Sequence, residues 1–357
     1  MIISYNLSFL RKLKYFYLLL CLLLLVEACA SLDQQLKQNN TIQKENEMVW
    51  PPPPYEAKIR FIQSISSSLD FGIKKNWLKK VIDSLTGKEE SENLMLRPHG
   101  IYVQEEKIYV TDPGLFLVHI FDQKKKNYFQ ITDAKDQHLI SPIGVAIDIN
   151  GKIYISDSYL KKIFIFSDDG KYLGEIGSDK LFGRPTGLAI YKDRLYVVDT
   201  LGDKILVFSK DNEKLLYCFG QNGKGHGEFH YPTHIFIDSN GYIYITDSLN
   251  FRVQIFDIDG NFVSSFGKHG DAIGNFSKPK GIAVDSEGHI YVVDSEFDVV
   301  QIFDRNGTLL LILGGTGLKK GHFLIPGGIF IDKNDYIYVA DSYNRRIQIF
   351  KYIKTDV

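Results

Sequence analysis

Residues 230–267 read HYPTHIFIDSNGYIYITDSLNFRVQIFDIDGNFVSSFG, and this stretch decides the fold. Pro232 opens an apolar run that reaches Asp238, and a Gly turn leads into Tyr242 to Asp247. Arg252 to Phe256 follows, then a second Gly turn and a last run ending at Gly267. β-Branched and aromatic residues bounded by Asp, Asn and Gly are the composition of short strands joined by tight turns. The same order recurs along the chain. Leading prolines stand at Pro98, Pro142, Pro185, Pro232, Pro279 and Pro326, and second-strand tyrosines at Tyr109, Tyr154, Tyr196, Tyr244, Tyr291 and Tyr338. Third-strand phenylalanines stand at Phe121, Phe166, Phe208, Phe256, Phe303 and Phe350, and every ladder repeats at 42 to 48 residues. Four strands per repeat at that period is the signature of a propeller, so the chain is predicted to be all-β with six blades.

The second and third strands are almost continuously apolar (IYITD, VQIF), as blades covered on both faces require. Gly144, Gly187 and Gly281, with Ala146, Ala189 and Ala283, belong to first strands that crowd toward an axis. Tyr102, Phe236 and Phe330 replace that Ala elsewhere and predict an uneven channel lining. Only seven residues follow Phe350, too few for a fourth strand, and an open blade would expose an unpaired edge. Lys58 to Ile65 (KIRFIQSI) has the character of a fourth strand and is predicted to close the last blade. Between it and the first repeat, Trp77, Leu78, Val81, Ile82 and Leu85 make one apolar helical face, which predicts a short amphipathic helix within an insertion over 73–87.

Charges nearly cancel. Removing residues 1–28, with Arg11, Lys12 and Lys14 against Glu27, takes the net from −1 to −3, so the mature chain has no global pull toward nucleic acid. Cys21 and Cys29 lie in the leader region and only Cys218 in the body, which excludes an internal disulfide framework and zinc-type Cys pairs. Cys218, in the apolar pattern Leu215, Leu216, Cys218, Phe219, is expected to be a buried structural thiol.

Arg11, Lys12 and Lys14 precede an uncharged run from Tyr15 to Val26, the grammar of a secretory signal over 1–28. Val26-Glu27-Ala28-Cys29-Ala30 is similar to a bacterial lipobox, with Cys29 as the lipid-attachment residue, although Glu27 departs from the usual small or aliphatic residue. The same residues also read as an ordinary A-x-A cleavage site that releases a chain beginning at Ser31. Residues 29–54, polar and ending in Pro51 to Pro54, read as a tether between the lipid and a propeller spanning 55–357.

DSLNFRVQIF (247–256) and DSYNRRIQIF (341–350) resemble NHL repeats, and the whole domain is similar to bacterial six-bladed NHL-repeat propeller lipoproteins. The resemblance implies the fold; for function it implies a protein-binding, RNA-binding or catalytic module. The RNA-regulator and ubiquitin-ligase branches are not supported, because the chain has no RING-like Cys/His cluster and carries an export signal.

The second strand ends in an Asp in every copy: Asp112, Asp157, Asp199, Asp247, Asp294 and Asp341. Catalytic carboxylates need unlike environments, so six equivalents predict a structural duty, accepting N–H bonds in the turn that follows. Five residues on, Lys162, Lys204, Arg252 and Arg346 suggest a broken basic arc able to hold an acidic ligand, with surface ion pairing as the competing account. His99 and His234 open two first strands near the axis, and His234 stands where sister repeats have Gly. In NHL-type amidating lyases histidines from several blades hold a catalytic metal, but two do not complete a three-ligand zinc site. The loops 220–229, 267–276 and 314–323 look phosphate-like, yet each leads into a strand rather than a helix and reads as a blade-to-blade connection.

These observations predict an extracytoplasmic, membrane-tethered, monomeric scaffold in the cell envelope, in the outer membrane or periplasm of a two-membrane host. It would bind an envelope protein or peptide, with no cofactor, no metal and no nucleic acid. His99, His234, Lys162, Lys204, Arg252 and Arg346 are the candidate ligand-binding residues. A metal-dependent lyase or hydrolase at the channel mouth is the alternative.

Overall fold

The computed structural model describes residues 48–71, 94–177 and 180–354. The leader, Cys29, the tether up to residue 47 and the helix expected over 73–87 lie outside the described residues. Among those described, the helical elements are two single 3-10 turns, Ser68–Phe71 and Ser248–Asn250.

Five antiparallel four-stranded sheets, a sixth of five strands and a small hairpin of Asp133–Ala134 with Gln137–His138 make up the described part of the compact unit that begins at Val49. Blade 1 holds Ile101–Gln104, Lys107–Asp112, Leu117–Asp122 and Asn127–Ile131, and blade 2 holds Pro142–Ile147, Ile153–Asp157, Lys162–Phe166 and Tyr172–Ile176. Blade 3 runs Pro185–Tyr191, Arg194–Asp199, Lys204–Ser209 and Leu215–Phe219; blade 4 runs Pro232–Ile237, Ile243–Asp247, Arg252–Phe256 and Phe262–Phe266. Blade 5 has Pro279–Val284, Ile290–Asp294, Val299–Phe303 and Leu309–Gly314; blade 6 has Ile329–Ile331, Tyr336–Asp341 and Arg346–Tyr352. The first strand of each blade packs on those of its two neighbours, and that of blade 6 packs on that of blade 1, so the array is a closed ring.

The predicted closure is realised. Ile59–Ile65 pairs antiparallel with Arg346–Tyr352, from Ile59 opposite Tyr352 to Ile65 opposite Ile347. Outside it lies a strand the sequence did not announce: Val49 and Trp50, within the polar stretch read as tether, pair with Arg60 and Ile59. Trp50 sets its ring edge-on to Phe350, with centroids 5.5 Å apart. That aromatic contact supplies what the short, proline-flanked segment lacks in pattern.

The aromatic ladders are the core. Tyr109, Tyr154, Tyr196, Tyr244, Tyr291, Phe121, Phe166, Phe208 and Phe256 are fully buried. A ring of this size buries about 150–250 Å², which contributes about 4–6 kcal/mol before conformational entropy is subtracted. The tyrosine hydroxyls need partners at that depth: Tyr244 donates to Asp238 and Tyr291 to Asp285, in the turn between first and second strands, and Tyr196 to Ile258 O of the next blade. Each of those aspartates also accepts two backbone N–H bonds of its own turn.

In blades 1, 2 and 5 the sixfold Asp does what was expected and more, whereas Asp247 and Asp341 take the side chains of Asn250 and Asn344 instead of backbone N–H groups from that turn. Asp199 takes the backbone N–H groups of Gly183 and Arg184 before its own first strand. Asp157 accepts from Tyr159 and Leu160 in the turn that follows and from Ile140 and Ser141 before its own first strand. Asp112 and Asp294 make the same four contacts with their own turns and entry loops. The hydroxyl next to it links blades: Ser158 donates to Pro185 O, Thr200 to Pro232 O, Ser248 to Pro279 O, and Ser342 across the ring closure to Pro98 O. Blade 1 has Pro113 at this position, and Ser295 bonds within its own blade.

One expectation is corrected. Cys218 is exposed, not buried. It lies on Leu215–Phe219, the outermost strand of blade 3, where Leu215 and Leu216 are exposed as well. A fourth strand has no blade beyond it, so an apolar run there does not imply burial.

Candidate functional site

The residue after each leading proline faces the axis at one end of the channel. In blade order these are His99, Ile143, Thr186, Thr233, Lys280 and Gly327. The next residue is Gly in five blades because the first strands nearly touch: a Cβ on Gly144 would lie 2.2 Å from Thr186 O, and one on Gly328 would lie 2.2 Å from His99 O. Blade 4 alone carries a side chain there, His234. It reaches across the axis to the ring of His99, from the opposite blade, and the two stack with centroids 5.4 Å apart and planes 20° apart.

Two cavities of about 220 Å³ meet at His234. One is an apolar bore lined by Tyr102, Leu188, Phe236, Ile282 and Phe330 among others, so the predicted uneven lining is present. The other is a vestibule at the mouth, with His99, Arg184, Tyr231 and Lys280 in its wall and no carboxylate among the described residues. Arg184 donates to the hydroxyl of Tyr231 and lies over its ring at 5.9 Å. Tyr231 is held in the left-handed region at φ 63° by an N–H bond to Asp203. The threonine hydroxyls are engaged by the ring itself, since Thr186 pairs with Thr200 and also bonds Thr233 O.

The electrostatics follow from burial. His99 is held down to about 4, mainly by desolvation and by the charge of Lys280, with Arg184 adding to it and a backbone hydrogen bond at Ile143 opposing. His234 is pushed well below its ordinary value by desolvation, His99 and Lys280. Both rings are therefore neutral at pH 7. Lys280 falls to about 8, through desolvation and the like charge of Lys278, and stays protonated there. Nδ1 of His99 and both ring nitrogens of His234 are buried with no partner among the described residues. Such groups normally find a partner, so each is a hydrogen-bonding position the wall can offer to a ligand.

The structure brings His99 and His234 together but does not bring the four basic residues to them. Lys162 pairs with Glu175 at 2.7 Å, Arg252 with Asp247 at 2.8 Å and Arg346 with Asp341 at 2.7 Å. The two guanidinium groups also donate to carbonyls of the blade-to-blade loops, at Lys224, Gly225 and Glu228 and at Lys319 and His322. Lys204 stands in the same register opposite Asp199. None of the four lines the vestibule. Those loops are the connections expected of 220–229, 267–276 and 314–323, each pinned by a fully buried Phe229, Phe276 or Phe323. Lys280, Arg184 and Tyr231 were missed, although aligning the residue after each proline would have placed Lys280 beside His99.

In four blades the second residue after the sixfold Asp is a large exposed group, while blades 1 and 5 have Gly114 and Glu296 there. Tyr159 is 72% exposed, Leu201 60%, Leu249 47% and Tyr343 51%.

A family model described as a 6-bladed beta-propeller matches residues 132–179, 175–250 and 238–300. Over 68 residues, 18% of this chain and 19% of the relative, the chain is 34% identical to human NHL repeat-containing protein 3. It is a six-bladed β-propeller with NHL-repeat homologues. The propeller is also 28% identical over 169 residues to the probable peptidyl-alpha-hydroxyglycine alpha-amidating lyase pgal-1 of Caenorhabditis elegans, covering 45% of this chain and 46% of that one. The matches thus span less than half the length of these curated relatives. Virginiamycin B lyase from Staphylococcus aureus shares the fold, with a TM-score of 0.53 and 16% identity over 72% of this chain and 96% of that one.

The residues present do not fit a lyase-like metal. Imidazole lone pairs lie in the ring plane, so the near-parallel rings of His99 and His234 do not converge on one ion. No group of three His, Cys, Asp or Glu able to hold a metal occurs among the described residues, whereas catalytic zinc takes three protein ligands. Lys280 and Arg184 add positive charge to the same wall.

Proposed function

We propose that the chain is an extracytoplasmic propeller, exported by its leader and tethered through Cys29, that binds an envelope protein or peptide as a monomer. The exposure of Tyr159, Leu201, Leu249 and Tyr343 on four equivalent turns carries this reading. Large apolar groups that recur on one set of turns are more than the scattered single exposures normal for a soluble surface. A face of loop residues on a rigid ring suits binding. The tether rests on the basic and apolar leader and on the lipobox-like residues around Cys29.

The test is photo-crosslinking in intact cells, with a crosslinking residue placed in the full-length chain at Tyr231 on the mouth face or at Ile149 on the opposite face. One abundant envelope protein captured from Tyr231 and not from Ile149 is expected. Equal capture from both positions, or none from Tyr231, would refute mouth-face binding. A chain that labels with no lipid and is recovered in the soluble fraction would refute the tether. The metal-dependent lyase or hydrolase reading has the likeness to the amidating lyase in its favour and the two-histidine donor set against it. Stoichiometric zinc or calcium on the full-length chain, lost in His234→Gly, would put it first.

A further inference from the structure

The vestibule concentrates positive charge with no counterion among the described residues. Lys280 and Arg184 share a wall that holds no carboxylate among the described residues, and Gly327 brings no side chain to the sixth position, where Ser342 and His99 close in. A desolvated cation is unfavourable unless an anion joins it. The two histidines add a second requirement. A neutral imidazole carries one N–H donor and one lone-pair acceptor, and His234 has neither satisfied by protein. A simple anion would serve the donor and leave the acceptor orphaned. The matching ligand carries a negative oxygen pair and, a few ångströms away, an N–H.

The geometry points to a recognition site for the C-terminal end of a peptide: the terminal carboxylate against Lys280 and Arg184, and the last amide N–H on a ring nitrogen of His234. This rests on the peptide-binding reading above and names the part of the peptide that is held. Charge-assisted bonds to partly buried cations are the strong kind, so the carboxylate is the group on which affinity depends.

The test uses isothermal titration calorimetry of the full-length chain with N-acetyl-leucine, N-acetyl-leucinamide and an acetylated pentapeptide ending in leucine with a free carboxylate. The two acids should bind, with the amide about tenfold to a hundredfold weaker. Lys280→Met should weaken the acids by a similar factor and erase the difference from the amide. His234→Gly restores the residue the other blades carry and so is expected to fold, which circular dichroism checks; it should weaken all three probes. Equal binding of acid and amide, no binding of either acid, or wild-type affinity in a folded Lys280→Met or His234→Gly variant would each overturn the site. Exclusion of the pentapeptide while N-acetyl-leucine binds would overturn a peptide end as the occupant. Crosslinking separates this from the broader reading. Capture of the envelope protein by Lys280→Met at wild-type yield sinks the pocket alone, whereas acid binding with no protein captured sinks the scaffold.

Discussion

Replacing Lys280 by methionine should stabilise the fold by about 3 kcal/mol at pH 7 and by almost nothing at pH 11. The ammonium is depressed from 10.5 to about 8, first by desolvation and then by the like charge of Lys278. The other groups facing it, Arg184, His99 and His234, offer no negative charge. Each pKa unit corresponds to about 1.4 kcal/mol, so keeping Lys280 charged in the native state costs about 3 kcal/mol. The sign follows from proton counting. Below pH 8 the lysine is protonated folded and unfolded, and the penalty is complete. Between 8 and 10.5 the unfolded chain keeps a proton the folded chain has released, so stability rises with pH; above 10.5 the penalty is gone. Methionine retains the length and apolar stem while removing the charge. Urea unfolding of both chains at pH 7 and pH 11 measures the difference, in which titrations common to both cancel. A variant less stable than wild type at pH 7, or an equal difference at both pH values, would refute the reasoning. Stability gained together with affinity lost is the mark of a group retained for binding.

Three further outcomes are expected. Because His99 titrates near 4 when folded and near 6.5 when unfolded, the fold should lose about 3 kcal/mol as pH falls from 6.5 to 4, with His234 acting in the same direction; thermal melts across that range should show a drop that is smaller in His234→Gly. Gly144→Ala, whose methyl would sit 2.2 Å from Thr186 O, should destabilise by about 3 kcal/mol or more, whereas Gly174→Ala, with only the end of Glu213 at 3.8 Å, should stay within about 1 kcal/mol by chemical denaturation. Deleting residues 55–66 removes the strand that closes blade 6 and should lower the melting temperature sharply, and an unchanged melt would show that the ring does not depend on it.

Much of this molecule is readable as text because a propeller repeats one local solution. Pro, Tyr, Asp and Phe recur at a near-constant spacing, each copy meets the same neighbours, and so blade number, strand order, the closing role of 59–65 and the structural duty of the six aspartates were all legible from residue type and period. His99 and His234 were legible for the opposite reason: they break the pattern at the axis. What the text could not carry is whatever depends on which blade faces which. The stacking of His99 on His234 joins residues 135 positions apart, and Lys280 and Arg184 acquire meaning only when the ring sets them in one wall with no carboxylate among the described residues. For Arg252 and Arg346 the text weighed a basic arc against ion pairing; the fold shows the pairing and adds loop carbonyls that no local pattern announced, while Cys218 looked buried until its strand proved to be the outer edge of a blade. Local pattern thus determined the fold, since strand and turn preferences act over a few residues. Closure of the ring decided the charge, burial and partners of the mouth, because those depend on distances through space that no local preference encodes.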